Sequence, residues 1–309
     1  MRKNHIKWAI SICLVNLVLL YSCKTHYKLA GEKYTLRQTP AAVANGKNLV
    51  YSGCGCHYNG TAKEFTGNRL HDLPRILGKL YSANITNSEV YGISAYYTNA
   101  QLAYLLKTGV TCKGQFIPYM LRPNIADDDL NDIIAYLRSD DAAVAAADTD
   151  VGDTHLNFLG KIVTHMRKPE PFIENIAEPT GPIANGRYLV DIMGCFHCHS
   201  KSLASLNYLH PEQSKGYMQG GMKFKTPKGG KIYAANLTPC KSTGIGNYSQ
   251  EDFRKTVKDG ITPDGRKLSP PMEKYKHLSD EQVDDIFAYL QTLPAEHHLV
   301  KGHVETTGK

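Results

Sequence analysis

Apolar residues along this chain fall into short helix-length stripes separated by polar loops. Leu130, Ile133, Ile134 and Leu137 follow the i, i+3, i+4, i+7 spacing of one helical face, and Val283, Ile286, Phe287 and Leu290 repeat it. Ser279-x-x-Gln282 stands before the second stripe as a capping box, in which side chains satisfy the orphaned N–H groups of the first turn. Thr98-x-x-Gln101 and Ser249-x-x-Asp252 predict two more helix starts, and Gly109 and Gly260 suit the left-handed residue that closes a helix. Leu156, Leu159, Ile162, Val163 and Met166 lie on one face of a further predicted helix, expected to pack on a core. No long alternating run argues for strands, so the pattern predicts an all-α chain.

These elements come in two copies. Ala83-Asn84-Ile85-Thr86 matches Ala235-Asn236-Leu237-Thr238 at an offset of 152, and Gly109-Val110-Thr111 matches Gly260-Ile261-Thr262 at 151. Pro118-Tyr119-Met120 matches Pro270-Pro271-Met272, and Ala135-Tyr136-Leu137 matches Ala288-Tyr289-Leu290. Landmarks recurring in order at near-constant offset mark an internal duplication, and two copies of this length make tandem domains, not a solenoid. The expected organisation is a first domain over 41–140, a partly helical linker over 141–182, a second domain over 183–296 and a tail over 297–309.

The N-terminus changes the picture of where the chain resides. Arg2, Lys3 and Lys7 precede a mostly apolar run from Trp8 to Leu20, too short to span a bilayer and typical of an export signal. Leu20-Tyr21-Ser22-Cys23 resembles a bacterial lipobox, which makes Cys23 the expected lipidated first residue, tethered to the periplasmic side of a membrane by a polar stretch over 24–40. Without residues 1–22, which hold three basic and no acidic groups, the formal charge falls from +7 to +4. That mild bias is no nucleic-acid footprint.

The chemistry sits at the start of each copy. N-G-R-Y-L-V-D-I-M-G-C-F-H-C-H (185–199) ends in Cys195, Cys198 and His199 with the C-x-x-C-H spacing of a c-type haem attachment site. The thiols can bond the haem vinyl groups, and the adjacent imidazole is then the proximal iron ligand. Met272, behind Pro270 and Pro271, is the expected sixth ligand, the prolines holding its loop extended; His210 and His277 are its rivals. N-G-K-N-L-V-Y-S-G-C-G-C-H (45–57) echoes the first motif, but Cys54-Gly55-Cys56-His57 is one residue short. Three arrangements fit it: haem held by Cys56 alone, haem held by both thiols on a distorted backbone, or a domain without haem whose Cys54 pairs with a thiol such as Cys112. Met120, behind Pro118, favours a haem ligated by His57 and Met120. Cys240 has no role readable from the sequence.

Residues 236–290, N-L-T-P…G-I-G-N-Y-S…D-G-R…P-P-M…L-S-D-E…A-Y-L, resemble the cytochrome c subunits of bacterial membrane-associated alcohol and gluconate dehydrogenases and related class I cytochrome c domains. The resemblance extends over 183–293 and, with the irregular motif, over 43–138. It implies an N-terminal helix carrying Gly186 crossed by a C-terminal helix carrying Tyr289, with Gly46 and Tyr136 in the matching places. It also implies two haem c groups and passage of electrons from a partner dehydrogenase or quinol-oxidising complex towards quinone or a terminal oxidase. Those subunits usually carry three haem domains, and this chain has room for two. Competing readings are a dihaem peroxidase, a redox or gas sensor, and a monohaem carrier; two methionine-saturated irons argue against peroxide chemistry. The expected protein is an electron carrier and not itself an enzyme.

Overall fold

The computed structural model describes residues 34–71, 78–165, 168–225 and 230–301. The expected export signal, Cys23, Met166, the side chains of Ile162 and Val163, and the end of the tail lie outside the described residues. Helices α1 (Pro40–Gly53), α2 (Ile93–Tyr96), α3 (Asn99–Thr108) and α4 (Asp127–Leu137) form the first half; α5 (Phe158–His165) lies in the linker. Helices α6 (Pro182–Ile192), α7 (Cys195–His199), α8 (Gln250–Asp259) and α9 (Asp280–Gln291) form the second. Strands β1 (Gly78–Lys79) and β2 (His155–Leu156) pair antiparallel, as do β3 (Lys223–Lys225) and β4 (Lys231–Tyr233). The chain is mostly helical with no closed sheet, as the periodicity predicts. Among the described residues no helix is long and apolar enough to cross a membrane.

The predicted caps form. Thr98, Ser249 and Ser279 each make both halves of a capping box, and Gly109 (φ 73°) and Gly260 (φ 72°) take the left-handed conformation that closes α3 and α8. In each half the dominant contact is one helix crossing, α1 on α4 and α6 on α9. At these crossings a Cβ on Gly46 would stand 1.8 Å from the Asp132 carbonyl oxygen, and one on Gly186 would stand 1.8 Å from that of Asp285. Only glycine lets the backbones approach so closely. The preceding asparagines lock the same crossings, Asn45 donating to Asp129 and Asp132 and Asn185 to Asp285.

One continuous apolar core runs through both halves, from Leu49, Ile134 and Tyr136 to Leu189, Val283 and Leu290. The seam between them is also hydrogen-bonded. Arg122 Nε donates to Ile192 O (2.7 Å), Asn124 Nδ2 to Asp191 Oδ2 (2.7 Å), and the Tyr188 hydroxyl to Asp129 Oδ2 (2.6 Å).

Three expectations change. Residues 34–39 of the expected extended tether are packed against the first half: Tyr34 and Leu36 lie on the core, and Arg37 N donates to Asn131 Oδ1 at 2.9 Å. The linker stripe is broken, because Leu156 pairs with Gly78 in a strand and Leu159 is 40% exposed. The linker is held to the first half further along, where the buried Lys107 ammonium meets Asp127 and donates to Ile173 O at 2.5 Å, with Tyr104 stacked on Phe172. The tail, finally, begins later than expected: Asn236 Nδ2 donates to Glu296 O (2.8 Å), and Val300 is buried.

Candidate haem centres

In the second half, α6 ends at Ile192, and Gly194 (φ 71°) turns the chain left-handed into α7. Within α7, Cys195 and Cys198 stand three residues apart, about 60° from each other around a helix of 3.6 residues per turn. Both line a cavity with His199, and Met272 lines the same cavity from the loop before α9. Leu237, Phe253, Ile286 and Leu290 give its wall an apolar character. His199 is buried, and its Nδ1 lies 2.8 Å from Ala235 O. A carbonyl only accepts, so Nδ1 carries the proton and Nε2 keeps its lone pair, the state a metal-ligating imidazole needs. Burial lowers the His199 pKa against the opposing Ala235 bond, which keeps the ring neutral.

The Met272 loop departs from expectation in shape. Pro270 and Pro271 sit in a turn and not an extended run, joined by a cis peptide, and Met272 N donates to Ser269 O at 3.2 Å. Met120 ends a 3₁₀ turn over Pro118–Met120, and its N–H donates to Ile117 O at 3.1 Å. Each methionine thus bonds the carbonyl three residues back. The ligand loops match upstream as well, with Ile117 N donating to Gly109 O (2.7 Å) and Leu268 N to Gly260 O (2.8 Å). The two rival histidines are elsewhere. His210 is exposed beside Glu212, and His277 stacks on Tyr51 with ring centroids 4.2 Å apart.

The first half reproduces the histidine and alters the thiols. His57 is buried, with Nδ1 2.8 Å from Ala83 O. Cys54 caps α1, and residues 55–57 form a 3₁₀ turn in place of α7. Cys54 is half-buried against the core, as Cys195 is, while Cys56 is exposed and hydrogen-bonds the His57 ring. Burial pushes the Cys54 and Cys195 thiols up to about 12, each reinforced by its neighbouring cysteine. Cys56 goes the other way: against desolvation, the neighbouring His57 ring lowers its thiol. No disulfide joins Cys54 to Cys112: both are free thiols, and Cys112 is hydrogen-bonded to Tyr97.

The residues present fit a covalently attached haem: two thiols, an imidazole whose Nδ1 is tied to a carbonyl and a thioether line one apolar cavity. The carbonyls of Ala83 and Ala235 had been visible only as part of a repeated A-N-x-T string. Their role rests on a contact across 26 and 36 residues, which no local pattern carries.

No protein-family model matches the chain. It is 35% identical over 127 residues to the fructose dehydrogenase cytochrome subunit of Gluconobacter japonicus, a stretch covering 38% of this chain and 24% of that protein. It is 36% identical over 109 residues to the gluconate 2-dehydrogenase cytochrome c subunit of Pantoea cypripedii, covering 35% and 22%. Its homologues are cytochrome c subunits. A dihaem c-type cytochrome of Cereibacter sphaeroides is also similar, 27% identical over 146 residues and 47% of this chain against 46% of that one. This cytochrome c homologue spans less than a quarter of the length of the two dehydrogenase subunits. The names of its relatives imply haem c and electron transport, as the attachment motif does.

Proposed function

We propose that the chain is a membrane-tethered dihaem c-type cytochrome. It takes single electrons from a partner dehydrogenase or quinol-oxidising complex and delivers them to a downstream acceptor. The observation that carries this reading is the duplicated constellation: His57 on Ala83 O and His199 on Ala235 O at the same 2.8 Å, each with a methionine in a matching turn. Cys195, Cys198, His199 and Met272 hold the second haem; His57, Met120 and the Cys54/Cys56 pair hold the first. A bound haem supplies a one-electron iron couple, and methionine ligation favours its reduced form.

The chain's own residues fix orientation and exclude water. The alanine carbonyls set each imidazole's tautomer, the turns present each thioether, and Leu237, Phe253 and Ile286 keep the second cavity apolar. Low local dielectric and a rigid frame reduce the reorganisation that electron transfer requires. Cys23 as lipid site places the protein at a membrane beside its redox partners.

Pyridine haemochrome analysis with intact-mass measurement tests the reading. Two haems per chain and a diacylated N-terminus are expected; one haem restricts the function to the second half. Met272→Ala and Met120→Ala are each expected to turn one low-spin haem high-spin, and unchanged spectra in both sink the ligand assignment.

A further inference from the structure

The two haem sites do not merely share a chain; each attachment segment packs on the ligand loop of the other half. Tyr51, on the helix leading into Cys54, stacks on His277 at 4.2 Å. A Cβ on Gly55 would stand 3.5 Å from Cδ of Glu273, the residue after Met272. Reciprocally, His197 between Cys195 and Cys198 meets Tyr119 edge-on, with centroids 6.2 Å apart. Arg122, two residues past Met120, reaches α6: its Nε donates to Ile192 O at 2.7 Å, and its Nη2 lies 3.1 Å from where a Gly194 Cβ would be. Its Nη1 donates back to Tyr119 O (3.0 Å) and Leu121 O (2.8 Å), which fixes the guanidinium within the seam.

We propose that Arg122 is a positioning residue that couples the two haem sites, holding the second attachment segment on the first ligand loop and lending one positive charge to both centres. The inference rests on the dihaem reading. Arg122 is the cation whose charge is felt at Cys54, Cys56 and Cys195 alike. A guanidinium stays charged at any working pH. Reduction removes one positive charge from a haem, so a fixed cation nearby favours the reduced state of each. In transfer across the seam one iron loses an electron and the other gains it, with no bond made and no proton moved. A shared cation biases both couples in the same direction, so it raises both potentials without setting them apart.

The test is a mediated spectroelectrochemical titration of the full holoprotein, after a haem count. Arg122→Gln is expected to lower both midpoint potentials, shifting the reduced-to-oxidised ratio at fixed potential by roughly tenfold at each site, where tenfold corresponds to about 59 mV for one electron. Arg122→Lys, which keeps the charge, is expected to restore most of the shift. Glu273→Gln provides an arm of opposite sign, because loss of a carboxylate beside Gly55 is expected to raise the first-half potential. The inference is overturned if Arg122→Gln moves neither or only one potential, or if Arg122→Lys and Arg122→Gln behave alike while losing equal thermal stability. It is overturned equally if Glu273→Gln leaves the first-half couple in place. One haem in the wild-type protein defeats the dihaem reading itself and is recognised before any variant is made.

Discussion

Replacing Gly186 or Gly46 by alanine tests the frame on which both sites hang. The new Cβ would stand 1.8 Å from a carbonyl oxygen of the crossing helix, Asp285 for Gly186 and Asp132 for Gly46. That is about 1.5 Å short of ordinary contact. The obstacle is backbone inside a helix, so no side chain can swing away and the helices must separate. Even a gap of about 0.5–1 Å forfeits a quarter to a half of the dispersion energy of each facing pair, and in the first half the facing residues include Leu49, Val50, Ile134 and Tyr136. Against this, alanine gains about 1 kcal/mol of helix propensity over glycine. The net expectation is destabilisation on the order of 3 kcal/mol, at the upper end of overpacking costs. For a cooperative unit of about 100 residues that is a fall in midpoint of roughly 12–24 °C. Thermal unfolding of the full chain followed by circular dichroism measures it. Gly60→Ala serves as the control, since nothing lies within 4 Å of its added Cβ. Gly186→Ala melting within a degree or two of the wild type would falsify the close-crossing argument.

Two further substitutions probe the seam and the linker segment held by Lys107. Lys107 is 1% exposed and satisfied by Asp127, Ile173 O and the Phe172 ring 5.4 Å from its ammonium. Lys107→Met keeps the stem and removes the charge, at an expected cost of about 3 kcal/mol; limited proteolysis should then cut within 168–178, and an uncut segment would refute its anchoring role. Asp191 is pushed up to about 6 by burial, against the Asn124 hydrogen bond and the charge of Arg122. A carboxyl that holds its proton more tightly folded than unfolded disfavours folding once ionised. Its penalty is therefore absent below pH 3.8, grows as pH rises to about 6 and is complete by pH 7, on the order of 3 kcal/mol. Asp191→Asn should be more stable than the wild type at pH 7 and no different near pH 3.5, measured by urea unfolding; equal differences at both pH values would refute the linkage.

What the sequence made legible was local or repeated. The capping boxes at Thr98, Ser249 and Ser279 need four residues each, and the left-handed glycines close the helices those boxes open. The stripes in α4 and α9 appear as buried faces. Gly46 and Gly186 could be placed through the duplication, since each keeps the same distance from its attachment motif to within two residues. Apart from the local turn at Pro270-Pro271, the failures involve distant partners. Leu156 left a plausible helical stripe because Gly78, far away in sequence, offered a strand edge. The burial of Lys107 carries no local signal, because it is made by Ile173 O and Phe172 more than sixty residues on. The reciprocal packing of each cysteine-bearing segment on the other half's methionine loop is invisible in either repeat alone, because it belongs to the pair.

The irregular first motif is where local and global constraints meet. His199 follows Val190 by nine positions, whereas His57 follows Val50 by seven. One missing residue is the left-handed break that Gly194 supplies, so α1 runs directly into Cys54. The other is taken from between the cysteines, and the α-turn of 195–199 tightens into a 3₁₀ turn. At three residues per turn, side chains two apart diverge by about 120°, twice the separation of Cys195 and Cys198. Yet the ends of the segment have not moved: Cys54 keeps the half-buried, Arg122-facing position of Cys195, and His57 keeps its carbonyl partner. The shortening is absorbed at Cys56, which turns outward. The geometry of this half therefore preserves what positions the His57 imidazole and what contacts the other half, and gives up the equivalence of the two thiols.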